Sequence, residues 1–484
     1  MKLANLTDGT RIALSNMAGF TSSLVSPTIR LGVTGLSRAG KTVFITSLVH
    51  NLLHGASLPL FNASATGRIK RVYLEPQPDD DLPRFAFEDH VKALTGPDRH
   101  WPKSTRRLSQ LRLTIEYVPH GIYARNVHGG KLHIDIIDYP GEWLLDLPLL
   151  SMSYEAWSHT ALDAATRPPR QRLSGKWLKY TGSLKPEDKA SEDDARKAAS
   201  LFTAYLTACR DDRFALSTLP PGRFLMPGDL EGSPLLTFAP LPLEQGPMAS
   251  PESLHAMMKR RYDAYVDKVV RPFYVNHFAR LDRQIVLVDT LSALNAGPDA
   301  IIDLSAALTD VLASFRQGKN SILSSLFAKR IDKVLFAATK ADMLHHESHD
   351  RLQDILRLII KRAAGRAEIS GAGIDVTAMA AIRATREATV EQDGESLPCI
   401  VGIPQKGEVI AGETFDGKAE AAIFPGDLPE DPALAADGSL KDSLRFVRFR
   451  PPLVPPAKPL LPQPVFPDIR LDRALEFLLG DQFT

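Results

Sequence analysis

Residues 35–42 read G-L-S-R-A-G-K-T, which fits the phosphate-binding pattern G-x-x-x-x-G-K-[ST]. Glycines at positions 35 and 40 let the backbone curl so that successive N–H groups point at a phosphate, an approach that a Cβ would obstruct. Lys41 is placed to bridge β- and γ-phosphates, and Thr42 to ligate Mg²⁺. The flanks agree. Ile29, Leu31 and Val33 alternate as in a strand ending at the loop, and Val43, Phe44, Leu48, Val49 and Leu52 recur at helical spacing after it. Strand, loop and helix follow in the order a nucleoside triphosphate site needs. Gly35, Ser37, Arg38, Ala39, Gly40, Lys41, Thr42 and Val43 are the expected nucleotide contacts on this side.

The chain has 484 residues, 44% hydrophobic and 24% charged, enough to bury a large core in two or three units. With 58 basic against 57 acidic residues the net charge is +1, so no nucleic-acid partner is expected. The two cysteines, Cys209 and Cys399, are far apart in sequence, which excludes a disulfide framework and a zinc ribbon and suits a reducing compartment. No run of about eighteen apolar residues occurs, so a cytoplasmic protein is expected. Residues 12–25 are mildly apolar with Ser and Asn interspersed. A helix packed on the core is the expected reading there, and a peripheral membrane helix is the alternative.

Strand and helix patterns alternate along much of the chain. Residues 111–117 (L-R-L-T-I-E-Y) and 132–138 (L-H-I-D-I-I-D) have period two and are joined through a His-Gly-Gly turn, as in an antiparallel hairpin. Residues 285–289 (I-V-L-V-D) and 334–338 (V-L-F-A-A) are short apolar runs typical of parallel strands buried on both faces. Residues 374–382 supply a last strand, and residues 300–315 and 346–364 are helical candidates at the spacing of βαβ crossovers. The rhythm breaks over residues 149–282, where helical segments at 186–209 and 250–281 flank a Pro/Gly-rich loop near 219–246. Beyond residue 390 come short β-like pieces at 407–414 and 444–449, a Pro-rich run over 451–464 and a last helix over 471–479.

Two further stretches narrow the nucleotide. Asp138 ends a buried strand and is followed by Tyr139, Pro140 and Gly141, a D-x-x-G. In a nucleotide switch such a carboxylate holds Mg²⁺ through a water, and the glycine N–H meets the γ-phosphate. The tetrad is common by chance, and its place after a strand downstream of the phosphate loop gives it weight. Thr339, Lys340, Ala341 and Asp342 follow another buried strand and match [NT]-K-x-D. A carboxylate there accepts from both N1–H and the 2-amino group of guanine, donors that adenine lacks, so Asp342 selects GTP and GDP over ATP. The Lys340 stem lies along the base plane. Thr105, with Ser104 as the fallback, is the candidate that closes over Mg²⁺. Ile382, in the stretch A-A-I-R-A-T over 380–385, is the candidate for a backbone contact to the base. Small switch GTPases carry a water-orienting Gln after D-x-x-G. Here Glu142 stands in that position, and its charge needs Arg38 or another cation beside the γ-phosphate. Slow intrinsic turnover is the expectation. Lys41, Thr105, Asp138 and Glu142 are the candidate catalytic residues, and Thr42, Thr105 and Asp138 the candidate Mg²⁺ ligands.

G-L-S-R-A-G-K-T, D-Y-P-G-E-W, V-L-V-D-T-L and T-K-A-D, with the ending R-L-D-R-A-L-E-F-L-L-G-D, resemble the YcjX-like proteins, bacterial P-loop GTPases associated with envelope and phage-shock stress. D-Y-P-G-E-W is the most specific piece, since an ordinary GTPase has no reason to place Glu-Trp there. The resemblance runs over nearly the whole chain. It implies an α/β fold, a P-loop NTPase of the Ras-like GTPase type with a mixed sheet flanked by helices, a helical insertion and a β/Pro-rich C-terminal extension. It also implies a GDP/GTP-dependent conformational switch in a stress response and a membrane-associated partner. A protein partner through the helical insertion is expected as well, and a cytoplasmic location, with a peripheral place at the inner membrane as the alternative. The expected organisation is an N-terminal helical segment at 1–28, two halves of the GTPase domain at 29–148 and 283–390, the helical insertion at 149–282, the extension at 391–469 and a closing helix at 470–484.

Overall fold

The computed structural model describes residues 27–483 apart from 36–37, 104–106, 120–129, 212, 244–249, 315–330, 365–372, 393, 411, 437–439, 441–443 and 456–462. Ser37, Ser104, Thr105, the peripheral-helix candidate at 12–25 and part of the 451–464 run lie outside the described residues, as do His128 and Gly129 of the expected turn.

Seven strands form one sheet in the order β2-β3-β4-β1-β5-β6-β7. They are β1 (Thr28–Gly35), β2 (Ile69–Glu75), β3 (Ser109–Tyr117), β4 (Lys131–Asp138), β5 (Arg283–Val288), β6 (Lys333–Ala338) and β7 (Gly373–Ala378). β4, β1, β5, β6 and β7 run parallel, while at one edge β3 runs opposite to β4 and pairs antiparallel with both β4 and the outer strand β2. β3 and β4 are the expected hairpin pair. Sequence reading missed β2, because its I-K-R-V-Y-L-E carries two adjacent cations and no clean alternation.

The strand residues alternate between two cores. Ile285 and Leu287 face one cluster with Leu31, Val33, Phe44 and Leu48, while Val286 and Val288 face the other with Phe336 and the insertion. Helix α1 (Lys41–Leu53) covers the first face. The last strand ends at Ala378 and does not reach the expected residue 382, because the next residues leave the ladder. Ala380 pairs instead with Ile469, and the Ala384 N–H turns to Asp342.

Between β4 and β5 the chain is helical. Helix α2 (Glu192–Cys209) starts at Ser191, whose hydroxyl accepts from the Asp194 N–H beside three acidic residues in the first turn. The expected start at 186 is too early, because residues 188–190 bond to 252–254 across the insertion. Helix α3 (Leu254–Tyr265) is capped by Ser253. A π-helical turn, Val266–Val270, and a short helix, Arg271–Asn276, lead back to the sheet.

Helices α4 (Pro298–Ser314) and α5 (His349–Ala364) are the crossovers around β6. α5 buries Leu352, Ile355, Leu356, Ile359, Ile360 and Ala363, the i, i+3, i+4 stripe of a core-facing helix. A three-stranded sheet in the order β12-β9-β8 follows, with β8 (Arg386–Gln392), β9 (Glu395–Gly402) and β12 (Ala421–Ile423). The expected piece at 407–414 holds the two-residue strands β10 (Val409–Ile410) and β11 (Glu413–Thr414), and that at 444–449 forms only a bridge from Phe449 to Pro404. Both cysteines are buried free thiols. Among the described residues no helix is long and apolar enough to cross a membrane.

Helix α6 (Leu471–Leu479) returns to the main sheet and lays Leu471, Ala474, Leu475, Leu478 and Leu479 into the α1-side core. Lys333 of β6 donates to the Phe477 carbonyl, and Arg283 of β5 pairs with Asp481. The final helix is thus part of the main core although it follows the extension. Leu478→Ala is expected to cost about 2–5 kcal/mol of stability, because the side chain is fully buried in a packed core. Urea unfolding followed by tryptophan fluorescence measures it.

Candidate nucleotide site

The carboxyl ends of the parallel strands open on one edge of the sheet, where they frame a cavity of about 490 Å³. Arg38, Ala39, Gly40, Lys41, Thr42 and Val43 line it on one side, and Thr339, Lys340, Asp342 and Ile382 on the other. Residues some three hundred positions apart in sequence thus share one space, and Glu142 lines it too.

On the loop side, Arg38 and Gly40 are left-handed, with φ of 59° and 85°. That geometry turns consecutive amides toward one point, and α1 starts at the next residue with its dipole aimed there. The Lys41 ammonium folds back onto the Gly35 carbonyl at 3.3 Å. Asp138 sits directly beside Val33 in the β1–β4 register and is buried, as is Thr42. The position of Gly141 leaves no choice of residue: a Cβ there would stand 1.9 Å from the Gly35 carbonyl oxygen. The D-x-x-G backbone therefore lies against the backbone of the phosphate loop.

On the other side, Lys340 is left-handed with φ 62°, and its ammonium pairs with Asp289 at the end of β5. Asp289 also accepts from the N–H and hydroxyl of Ser292 at 3.2 and 2.8 Å. Asp289 lies in the stretch V-L-V-D-T-L, and its place at the carboxyl end of a buried strand is the signal that marks it. Asp342 is buried and accepts from the Ala384 N–H at 2.9 Å, and the Thr385 hydroxyl donates to its carbonyl. Burial pushes the Asp342 carboxyl up to about 6, against the pull of the Ala384 N–H and Lys340. In the loop 380–385, the Ala380 and Arg383 amides donate to Ile469 and Pro467. The Ala381 and Ile382 amides have no such partner among the described residues, and both residues line the cavity. The extension closes this end with Gln405, Glu408 and residues 446–449. Trp101 and Arg99 tie to it through donation to the Phe449 and Pro451 carbonyls, each at 2.7 Å.

The segment after Gly141 is a buried 3₁₀ helix, Gly141–Ser151, held by the insertion. Glu142 pairs with Arg210, the residue after α2, at 2.8 Å. Arg210 is therefore a cation beside Glu142, where Arg38 or another cation is expected from the sequence; nothing in the sequence of α2 marks it. A Cβ on Gly222 would stand 2.0 Å from the Glu142 carbonyl oxygen. The Arg223 guanidinium lies 3.2 Å from the Trp143 ring centre, and Phe273 meets Trp143 and Tyr139 edge-on. Asp146 accepts from the Gly222 N–H and the Tyr265 hydroxyl, each at 2.6 Å, and burial raises its carboxyl to about 6.

A mixed seven-stranded sheet between helical layers, with a glycine loop leading from β1 into α1, defines a P-loop NTPase fold of the Ras-like kind. The sequence matches the YcjX-like family, DUF463, over residues 29–483, and the chain belongs to that family. The Ras-like GTPase YcjX of Escherichia coli strain K12 is 37% identical over 464 residues, 94% of this chain and 96% of the relative. The Ras-like GTPase YcjX of Shewanella oneidensis is 36% identical over 476 residues, 94% of each chain.

Gly141→Ala is expected to destabilise the fold by about 1–3 kcal/mol, because its Cβ meets backbone and the two loops have to part. A lowered denaturant midpoint checks this, with Gly175→Ala as the control, since a Cβ at Gly175 meets nothing within 4 Å.

Proposed function

We propose that this chain binds GTP and GDP with Mg²⁺, hydrolyses GTP slowly, and uses residues 141–151 to report the nucleotide state to its helical insertion. The observation that supports this is the convergence of residues 38–42 and Asp342 on one cavity, with Asp138 beside Val33 of β1 and Gly141 packed on Gly35 where the loop begins. The loop amides and Lys41 bind the phosphates, and Gly141 offers its N–H toward the γ-phosphate. Asp342 accepts from the guanine edge, while the Ile382 amide is free to meet the base carbonyl. Thr42 and Asp138 are buried oxygen donors beside the loop and fit a hard cation. Mg²⁺ held there would neutralise charge on the β- and γ-phosphates. Thr105, outside the described residues, is the further ligand expected to close over Mg²⁺.

Glu142 accounts for the slow rate. Its carboxylate is paired with Arg210, so orienting water requires that pair to open. The same pair favours a second reading, a nucleotide-dependent scaffold with negligible hydrolysis. In both readings the insertion is the surface that meets a protein partner. The stress-response role and a membrane-associated partner come from the family resemblance.

Calorimetry and single-turnover phosphate release test the proposal together. GTP is expected to bind far more tightly than ATP, and Lys41→Ala to abolish binding. Asp342→Asn should move preference toward xanthine nucleotides. Equal affinity for GTP and ATP would end the guanine reading. Absent phosphate release, with tight GTP binding retained, would select the scaffold.

A pH dependence follows from Asp342. Its carboxyl titrates near 6, above the ordinary 3.8, so the carboxylate that guanine needs is present above pH 7 and is lost as pH falls through 6. Guanine donors stabilise the ionised form, so the loss is shifted lower in the complex. The ratio of ATP to GTP dissociation constants, in which phosphate titration cancels, is expected to fall toward one below about pH 6.

A further inference from the structure

Residues 344–349 read L-H-H-E-S-H and follow directly on the stretch that carries Asp342. His345, His346 and Glu347 bring one donor atom each to within 4.8 Å of one another. A second carboxylate comes from β8. Glu387 Oε2 stands 2.6 Å from His346 Nδ1 and 3.8 Å from His345 Nε2, while His345 Nδ1 is 3.7 Å from Glu347 Oε2. The two imidazole rings are 4.3 Å apart. His345 is 12% exposed, and its Nδ1 is buried without a hydrogen bond. His349 has another task, since its Nε2 is held by the Ala341 carbonyl at 2.8 Å.

We propose that His345, His346 and Glu347 form a site for a divalent transition metal of the zinc class, with Glu387 as the carboxylate that orients the His346 imidazole. Two imidazoles and a carboxylate are the donor set such ions prefer, with water in the remaining position. Ligands of one tetrahedral zinc, with bonds of about 2.0–2.1 Å, stand about 3.3 Å apart. The His345–Glu347 separation of 3.7 Å needs to close by only a few tenths of an ångström. With His346 Nδ1 hydrogen-bonded to Glu387, the His346 Nε2 lone pair is left for the ion, as is that of the unbonded His345 Nδ1. That is the carboxylate–imidazole–metal arrangement that fixes tautomer and ring orientation. It also explains why the buried Nδ1 of His345 makes no hydrogen bond.

The ion has a mechanical consequence. His345–Glu347 belong to the turn that presents Asp342, and Glu387 lies two residues after Thr385, whose neighbour Ala384 donates to that carboxylate. A bound metal fastens the two segments that hold Asp342 to each other. The site is separate from the Mg²⁺ position at Thr42 and Asp138, and its test needs no nucleotide.

The test is titration of the full nucleotide-free chain, without a polyhistidine tag, with Zn²⁺ by calorimetry and with Co²⁺ by visible absorption. One equivalent of each ion is expected to bind, with ligand-field bands developing in the Co²⁺ titration. His346→Ala, at a side chain 63% exposed and therefore safe for folding, is expected to remove the bands. Glu387→Gln is expected to weaken Zn²⁺ affinity about ten- to hundredfold while keeping the stoichiometry. Absence of saturable binding, or binding unchanged in His346→Ala and in Glu347→Gln, would overturn the proposal.

Discussion

The backbone contact between Gly35 and Gly141 is the constraint on which the rest of the site depends. With a virtual Cβ only 1.9 Å from the Gly35 oxygen, position 141 admits glycine alone, and the end of β4 is fixed against the loop that follows β1. One residue on, the Glu142 carbonyl meets Gly222 of the insertion in the same way, at 2.0 Å. Residues 141 and 142 are thus gripped from both sides by backbone, which cannot adjust as a side chain can. Any displacement of this dipeptide has to be taken up by the insertion. The Glu142–Arg210 pair, the Tyr265–Asp146 hydrogen bond and the Arg223–Trp143 stack lie along that route.

The other end of the cavity is governed by charge. Asp342 is a carboxylate in a buried place, partly compensated by one backbone amide and by Lys340, which is itself shared with Asp289. Such a group is expensive to keep ionised and gains from a ligand with two donors at the right spacing. The extension after β7 finishes this end, and its anchorage explains how an irregular segment keeps a defined position. Asn51 of α1 exchanges hydrogen bonds with the backbone of Phe466, His50 holds the Pro464 carbonyl, and α6 returns to the sheet.

Much of this was legible in the sequence where local chemistry demands particular residues. Gly40 and Lys41 stand at the turn from β1 into α1, the apolar runs at β5 and β6 are buried parallel strands, and Asp342 lines the cavity that these strands frame. Where the determining partner is distant, the sequence was silent. β2 owes its place to pairing with β3, since its own residues are half exposed and include Lys70 and Arg71. Arg210 is one of many arginines until α2 is folded against residues 141–151. The residues at 446–449 read as a strand and serve instead as a wall of the cavity, because their backbone partners are Pro404, Gln405, Trp101 and Glu408.

The most direct test of the central claim is a crystal structure of the chain with Mg²⁺ and GDP. The expected result is electron density for the β-phosphate inside the loop of residues 35–41, with guanine N1 and the 2-amino nitrogen within about 3 Å of the Asp342 carboxylate. Phosphates outside that loop, or a base that leaves Asp342 bonded only to Ala384, would contradict it.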